Sequence, residues 1–190
     1  FQPAEENEGG GRTMVEEGLF EKFPMDRVYG MHNWPGLDAG TFSVRTGPVM
    51  AAADRFDLIV KGKGGHAAMP HLTHDPLITA TQIVTGLQQL HSRRMNPLDQ
   101  SVISITQIHA GEAYNVIPGE AVIRASVRTF KKDVKKMIMN GIHQIAKGIT
   151  SANNCTYELS YRDGYPPTVN TSDAAEISAR AAVNTVGSDK

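Results

Sequence analysis

The sequence predicts a mixed α/β fold in which a β-α-β-β-α-β domain is inserted into a second α/β domain. Two observations lead to this prediction. Between residues 55 and 162, strand-like alternation and helical periodicity follow one another in that order. The segments on either side look like parts of a different α/β domain. We therefore expect domain boundaries at 1–52, 53–166 and 167–190.

The elements of the inserted domain follow from its hydrophobic pattern. Phe56, Leu58 and Val60 occupy alternate positions, which predicts a strand. Asp75 is a good N-cap and Pro76 suits the first helical position, so an amphipathic helix is predicted over 76–91. The remaining predicted elements are strands over 101–109 and 121–130, a helix over 134–149 and a strand over 155–161. This order is the ferredoxin-like arrangement, one antiparallel sheet with two helices on one face.

The flanking segments contain further predicted elements. Thr13 and Glu16 have the spacing of a capping box, which predicts a short helix. The predicted elements of the flanks are a helix over 13–22, a short buried strand over 28–32, a strand over 41–45, and a helix capped by Ser172 or Asp173 that runs to Val186.

Composition excludes several classes of function. The 19 Lys and Arg against 20 Asp and Glu give a net charge of −1, so no strong field attracts nucleic acid or an anionic membrane. No apolar run approaches the ~20 residues that span a bilayer. RNA binding by a ferredoxin-like sheet needs exposed aromatics, and strand 121–130 has only Phe130. The single cysteine, Cys155, excludes an intrachain disulfide.

Adjacent carboxylates at Glu5 and Glu6 are the first candidate for chemistry. One carboxylate of such a pair can bind a metal ion while its neighbour takes a proton from the bound water. The alternative interpretation is a solvated acidic loop. His32 stands at the end of a predicted strand, where an imidazole can bind a metal. Standing alone, it also fits a structural histidine.

A second group of candidates lies in the inserted domain. His66 follows a glycine-rich turn that can present its ring to a substrate without steric interference. Asn115 lies in a loop before the strand that contains Arg128. An Asn and an Arg near one another can hold a carboxylate, the Arg through two hydrogen bonds. The alternative is a solvated sheet face.

Four motifs in register carry a family resemblance: FQPAEE (1–6), GMHNWP (30–35), GGHAAMPH (64–71) and AYNVIPGE (113–120). Together they resemble the aminoacylase and carboxypeptidase family of dinuclear metallohydrolases, in particular the bacterial N-acyl-amino-acid amidohydrolases and hippurate hydrolases. The resemblance implies a catalytic α/β domain of the zinc-exopeptidase type with two metal ions. It also implies an inserted ferredoxin-like lid domain that commonly forms a dimer interface.

The resemblance implies a role for each candidate residue. By position, Glu5 resembles the general base, and Glu6 and His32 resemble metal ligands. His66 resembles the lid histidine that polarises the scissile carbonyl, often in the site of the partner subunit. The residues that resemble substrate-holding groups are Asn115 and Arg128, which are thirteen positions apart, as in related deacylases.

The sequence departs from the family pattern in its metal ligands. The family takes further ligands from a Cys/His/Asp-type segment before the Glu-Glu motif and from a histidine near the C-terminus, and neither is present here. We therefore expect an internal fragment of a longer protein, with a whole lid and a partial catalytic domain. Alone it should bind metal poorly and hydrolyse nothing. Carboxylate and imidazole ligands suit zinc, manganese, cobalt or nickel.

For the parent protein, the resemblance implies metal-dependent hydrolysis of the amide bond of a small N-acyl amino acid by a cytoplasmic homodimer. One alternative is a metallo-exopeptidase or dipeptidase of the same family. Another is a non-catalytic dimerisation module, in which the outer helix and edge strand of the lid pair with a second copy.

Overall fold

The computed structural model describes residues 2–5 and 9–188. Its α-helices are α1 (Gly10–Glu16), α2 (Leu19–Lys22), α3 (Pro76–Gln89), α4 (Lys132–Ala152) and α5 (Ser172–Val186). Its strands are β1 (Gly47–Met50), β2 (Ala52–Lys61), β3 (Gly65–His66), β4 (Ser101–His109), β5 (Val116–Ile117), β6 (Glu120–Thr129), β7 (Thr156–Arg162) and β8 (Thr168–Asn170). A 3₁₀ turn (Pro70–Leu72) precedes α3, and a π-helical turn (Leu90–Arg94) follows it.

The chain divides into two compact units. Unit 1 comprises residues 1–49 and 169–190, and unit 2 comprises residues 50–168. No helix in the described part of the chain is both long enough and apolar enough to span a membrane.

Unit 2 is built on one four-stranded sheet in the order β4-β6-β2-β7. Every neighbouring pair is antiparallel, and the register pairs Leu58 with both Ile123 and Leu159. Both α3 and α4 pack on this sheet and on each other. The predicted β-α-β-β-α-β order is therefore confirmed, with each predicted element present within a few residues of its expected bounds.

The core of unit 2 lies between the sheet and the two helices. Alternate side chains of β2, namely Phe56, Leu58 and Val60, are buried, because successive strand residues point to opposite faces. The other buried apolar residues come mainly from β6 and the helices: Ala121, Ile123, Val127, Ile83, Leu87, Ile138 and Ile142. The cap of α3 is as predicted, since the Asp75 Oδ1 accepts hydrogen bonds from the amides of Leu77 (2.8 Å) and Ile78 (3.2 Å).

A buried carboxylate anchors the first residues of β2. Asp54 is 1% exposed, and its carboxylate accepts hydrogen bonds from the Tyr161 hydroxyl (3.0 Å) and the Gly164 amide (2.9 Å). Lys135 Nζ lies 2.9 Å from Asp54 and 2.8 Å from Asp163. Burial lowers the pKa of Lys135, but the hydrogen bonds to Asp163 and Asp54 and the charges of these two aspartates together outweigh burial, so the net shift is upward. Burial, together with the Asp54 charge, raises the pKa of Tyr161.

Unit 1 contains α1, α2, α5 and most of a small sheet in which β1 pairs with β8. Arg27 and Asp173 form an ion pair at 2.6 Å. A hydrogen bond from Thr171, followed by that from Arg27, lowers the pKa of Asp173 to about 2.

Two predictions for the flanking segments, strands over 28–32 and over 41–45, are wrong. Residues 28–32 and 41–45 contain no strand, and the side chains of Val28 and Met31 are 67% and 82% exposed. Among the described residues, no neighbouring strand pairs with either segment, so neither gains the interstrand hydrogen bonds that define a strand.

The helix ends in unit 1 also differ from the prediction. The first helix begins at Gly10 rather than at Thr13, and Gly18, with φ of 86°, separates α1 from α2. Left-handed backbone of this kind suits glycine and interrupts a right-handed helix. At the other end of the chain, Thr171, rather than Ser172 or Asp173, is the N-cap of α5.

The Asp54 anchor predicts that alanine substitution of two aspartates of β2 lowers the free energy of unfolding by different amounts. We expect Asp54→Ala to destabilise the chain by about 1–3 kcal/mol, because it removes the buried acceptor of the Tyr161 hydroxyl and one of the two carboxylates that pair with Lys135. Asp57→Ala removes a partly exposed aspartate that pairs with Arg124 and Arg162, and should cost about 0–1 kcal/mol. Urea unfolding of the full 190-residue chain measures both, and equal losses would contradict the anchor.

Candidate active site

A short ribbon of two strands holds two of the candidate site residues together. β3 pairs with β5 in antiparallel register, with His66 opposite Val116. The Ala67 amide donates to the Asn115 carbonyl oxygen at 2.9 Å, so His66 and Asn115 stand at adjoining positions of the ribbon. Both side chains are exposed. The pattern did not predict this ribbon, because two residues per strand are too few for alternation to register.

Glycines allow close backbone packing at the ribbon and in the segment that leads to it. A Cβ on Gly62 would lie 2.1 Å from the His74 carbonyl oxygen, and one on Gly64 would lie 2.6 Å from the Ile117 carbonyl oxygen. Both contacts are to backbone, which cannot move aside as a flexible side chain can. The glycine-rich sequence before His66 therefore serves close backbone packing as well as access to its ring.

The His66 ring is oriented by its own loop. Its Nδ1 accepts a hydrogen bond from the Ala68 amide at 3.1 Å. The Met69 amide donates to the His66 carbonyl oxygen at 2.9 Å and closes a turn. Because Nδ1 is engaged, Nε2 is the ring nitrogen left to meet another molecule. The backbone amide of Ala68 is a site feature that the sequence pattern did not indicate.

Arg128 lies at the other end of β6 from Asn115. Arg128 lies eight positions after Glu120 along the strand, which is about 26 Å at ~3.3 Å per residue. The ribbon adjoins the Glu120 end, since the Gly62 amide donates to the Gly119 carbonyl oxygen. Arg128 does share the outer face of the sheet with Arg124 and Ser126, as expected. One chain therefore does not bring Asn115 and Arg128 together.

Of the adjacent carboxylates, only Glu5 lies within the described residues, and Glu6 lies outside them. Glu5 is exposed and follows Ala4, whose φ is 49°. The Gly10 amide donates to the Ala4 carbonyl oxygen at 3.4 Å, which holds this segment against the start of α1. A Cβ on Gly10 would lie 1.8 Å from the Pro3 carbonyl oxygen, so glycine is required for this approach.

His32, the other expected metal ligand, is exposed in an irregular segment of unit 1. Its Nδ1 lies 2.5 Å from the Asn33 carbonyl oxygen. A carbonyl oxygen only accepts, so Nδ1 carries a proton, and in the neutral ring Nε2 then keeps its lone pair. The ring also meets Trp34 edge-on, with centroids 5.9 Å apart. A neutral imidazole whose Nδ1–H is bound to a carbonyl fits a metal ligand acting through Nε2.

The other reactive side chains of the described residues form no site. No group of three or more His, Cys, Asp or Glu among them could hold a metal ion. The backbone of His74 stabilises unit 2, because its amide and carbonyl groups form two hydrogen bonds of 2.9 Å with the backbone of Lys63. Cys155 is buried, and its sulfur lies 3.4 Å from the Thr79 hydroxyl oxygen, so it is a core residue.

Residues 52–154 match the family model of the M20 peptidase dimerisation domain. This match covers most of unit 2, including three of the four strands of the sheet, both helices and the ribbon with His66, while β7 follows it. The chain belongs to this family. The resemblance stated from the four sequence motifs is therefore confirmed, and so is the mixed helix and sheet fold.

Curated relatives extend the similarity beyond that domain. The N-acyl-L-amino acid amidohydrolase of Geobacillus stearothermophilus is 43% identical over 90% of this chain and 46% of its own length. The hippurate hydrolase of Campylobacter jejuni is 37% identical over 98% of this chain and 49% of its own length. The chain thus spans about half the length of the curated relatives it matches.

A solved structure shows the same architecture. The crystal structure of the YXEP protein of Bacillus subtilis, described as a dinuclear metal binding peptidase from the M20 family, superposes with a TM-score of 0.76. The match has 33% sequence identity and covers 97% of this chain and 45% of that one. The similarity therefore includes both units of the chain.

The close packing of the ribbon gives a test with a matched control. Gly64→Ala should push β5 away from β3 and break the bond from the Ala67 amide to Asn115, because its Cβ meets backbone. Gly119→Ala, in the same region, meets no atom within 4 Å. We expect the Ala67 amide proton to exchange with deuterium about tenfold faster in Gly64→Ala than in the native chain, and at the native rate in Gly119→Ala. NMR measures both exchange rates. Unchanged exchange in both variants would show that the ribbon tolerates the added methyl.

Proposed function

We propose that the whole protein hydrolyses the amide bond of small N-acyl amino acids. The observation that carries the proposal is the 43% identity, over 90% of this chain, to an N-acyl-L-amino acid amidohydrolase. The exposed His66 and Asn115, presented side by side on one ribbon, supply polar groups suited to an amide and a carboxylate. Unit 2 is the lid of this enzyme, and unit 1 is part of its catalytic domain.

The candidate ligands suit a metal-dependent hydrolase. Two divalent metal ions, held in part by Glu6 and His32, would activate a water molecule and polarise the scissile carbonyl. Zinc, manganese, cobalt and nickel all accept carboxylate and imidazole ligands. The free Nε2 lone pair of His32 supports this assignment. The remaining ligands would come from parts of the whole protein outside this chain.

Two residues of this chain act on the reacting atoms in the proposed mechanism. Glu5, exposed beside the start of α1, is the general base that takes a proton from the attacking water. It then returns the proton to the amine that leaves. His66 faces the carbonyl oxygen and stabilises the negative charge that develops there.

The substrate carboxylate is held by Asn115 and Arg128, and the structure constrains how. These residues lie at opposite ends of β6, so a site containing both must take them from two subunits. In β4, Ser101 lies beside Thr129 at the Arg128 end of β6, and His109 lies beside Val122 nearer the ribbon.

Antiparallel pairing of two β4 edges about a two-fold axis supplies the required arrangement. It sets the Ser101 end of one copy beside the His109 end of the other. Arg128 of one subunit then lies at the same end of the combined sheet as the partner subunit's His66 and Asn115. The proposed homodimer thus explains why the two carboxylate-binding residues are separated within one chain.

The two edges of the sheet differ in charge, which favours β4 as the interface. β7 carries Glu158 and Arg162, which pair with Lys61 and Asp57. β4 contains no Lys, Arg, Asp or Glu and is rich in Ile, Val, Ser and Thr. Charged side chains on an edge strand oppose pairing with another chain, and their absence permits it.

A second candidate function is peptide hydrolysis, favoured by the solved relative described as a dinuclear metal binding peptidase. The same base, ligands and lid histidine would serve a peptide bond. A third is a non-catalytic dimerisation module, which the family of residues 52–154 supports. We propose a cytoplasmic location for the whole protein, on the family resemblance and the low cysteine count.

The catalytic proposal predicts the effect of one substitution in the parent polypeptide. With Mn²⁺ or Zn²⁺ supplied, Glu5→Gln should lower turnover of N-acetyl, N-benzoyl or N-indoleacetyl amino acids by at least about 100-fold, because it removes the general base. Metal content, measured by elemental analysis, should stay unchanged. Glu17→Gln, an exposed glutamate of the same unit, is the matched control and should retain native turnover.

The outcomes of this experiment separate the candidate functions. Full activity in Glu5→Gln would remove Glu5 as the base. Turnover of dipeptides in place of N-acyl amino acids would favour the peptidase. Absence of turnover in a parent protein that binds two metal ions would favour the dimerisation module.

The dimer proposal predicts different effects at the two sheet edges. Ser104→Lys on β4 should raise the dimer dissociation constant of the chain about tenfold, because the two-fold axis brings the new lysine of each copy close to that of the other copy. Ser160→Lys, an equally exposed serine of β7, should leave it unchanged. Sedimentation velocity over a concentration series measures both variants. The β4 interface is refuted if only Ser160→Lys weakens the dimer.

A further inference from the structure

Three consecutive backbone amides after His66 each have a separate acceptor. The Ala67 amide donates to the Asn115 carbonyl oxygen at 2.9 Å, and the Met69 amide donates to the His66 carbonyl oxygen at 2.9 Å. The Ala68 amide, between them, donates to Nδ1 of His66 at 3.1 Å. The outer two bonds fix the backbone of the loop. Because the backbone is fixed, the Ala68 N–H points at Nδ1 of His66 in a defined direction.

This geometry decides which ring nitrogen carries the proton. An N–H group donates only to an atom with a lone pair, so Nδ1 must be unprotonated. A neutral imidazole has one N–H, which is then at Nε2. Turning the ring over would set a C–H group against the Ala68 N–H and lose the bond. The loop therefore favours one tautomer and one ring orientation together.

We propose that the backbone amide of Ala68 is a positioning group that holds His66 in the Nε2–H tautomer, so that the ring presents a hydrogen-bond donor to the substrate. This proposal rests on the proposed function, in which His66 faces the scissile carbonyl oxygen. A carbonyl oxygen that gains negative charge needs a donor already aimed at it. An imidazole with its lone pair at Nε2 would instead repel that oxygen.

The contrast with His32 shows how the backbone can assign opposite tasks to the same side chain. At His32 a backbone carbonyl oxygen faces Nδ1, which puts the proton there and leaves a lone pair at Nε2. At His66 a backbone amide faces Nδ1, which puts the proton at Nε2. The first arrangement suits a metal ligand, and the second suits a donor to an oxygen.

The loop sequence fits this role. Ala67 and Ala68 have the smallest side chains that still restrict the backbone, and both are exposed, so neither covers the ring. The bond to Nδ1 also limits rotation of the ring, so less freedom is lost when a substrate binds. The positioning is therefore built into the backbone of residues 66–69 and its bond to the Asn115 carbonyl oxygen, and needs no other side chain.

The test is a direct measurement of the tautomer by NMR. Long-range ¹H–¹⁵N correlation spectra of the full chain labelled with [¹⁵N]histidine distinguish protonated from unprotonated ring nitrogens. Spectra are recorded at about pH 8.5, where an ordinary imidazole is neutral. His66→Gln assigns the signals of His66. His71 is the internal reference, since its ring has no hydrogen-bond partner within the described residues.

We expect His66 in the native chain to show a protonated Nε2 and an unprotonated Nδ1, with a smaller share of the other tautomer than His71. Ala68→Pro, which lacks the amide proton, should move His66 to the mixture that His71 shows. Ala68→Gly keeps the amide and should retain the native pattern. A protonated Nδ1 in the native chain overturns the proposal, as does a native mixture equal to that of His71. The native spectrum decides even if Ala68→Pro fails to fold.

This outcome is separate from that of the proposed function. Turnover of His66→Ala in the parent protein tests the role of the ring, whereas the spectrum tests how the ring is held. The expected tautomer with full activity in His66→Ala would overturn the function and leave the positioning intact. A mixed tautomer with activity lost in His66→Ala would overturn the positioning alone.

Discussion

Strand β2 imposes the constraint on which the rest of unit 2 depends, because it is paired on both sides and must serve two faces at once. Its alternate residues Phe56, Leu58 and Val60 fill the core beneath α3 and α4. Its first residues hold the Asp54 anchor, and the chain leaving its last residue enters the glycine-rich approach to His66. A shift of one residue in its register would expose the apolar side chains and displace the carboxylate and the ribbon together.

The sequence predicts those parts of the fold that are long enough for a periodic pattern of apolar residues to be detected. β2, β6, α3 and α4 each bury alternate or helically spaced side chains over ten residues or more, and all four are found. Residues 28–32 have the apolar composition of a buried strand, but composition does not supply a neighbour to pair with. Conversely, β1 and β8 form a pair with four and three residues, where distant pairing rather than local pattern decides the structure.

For the candidate site, too, the sequence pattern predicts some features and misses others. The motifs lead to His66 and Asn115, and the structure sets these two residues at adjoining positions of one ribbon. The pattern also shows that Arg128 shares a face with Arg124, and a strand over 121–130 sets Arg128 at the end away from Asn115. The sequence does not show that His66 lies beside Asn115, which depends on the pairing of β3 with β5. The orientation of the His66 ring depends on a backbone amide, which every non-proline residue has and no sequence pattern marks.

The uncharged β4 edge has a consequence for how the chain behaves in solution. Its residues Ser101 to His109 are rich in β-branched side chains and lack both proline and formal charge, which are the properties of segments that seed cross-β aggregates. A second copy docked on this edge would cover its unpaired backbone groups. The same surface is then protected in an assembled protein and hazardous in an isolated one. Low solubility of the separated chain would thus have its physical origin in one strand rather than in a poorly formed core.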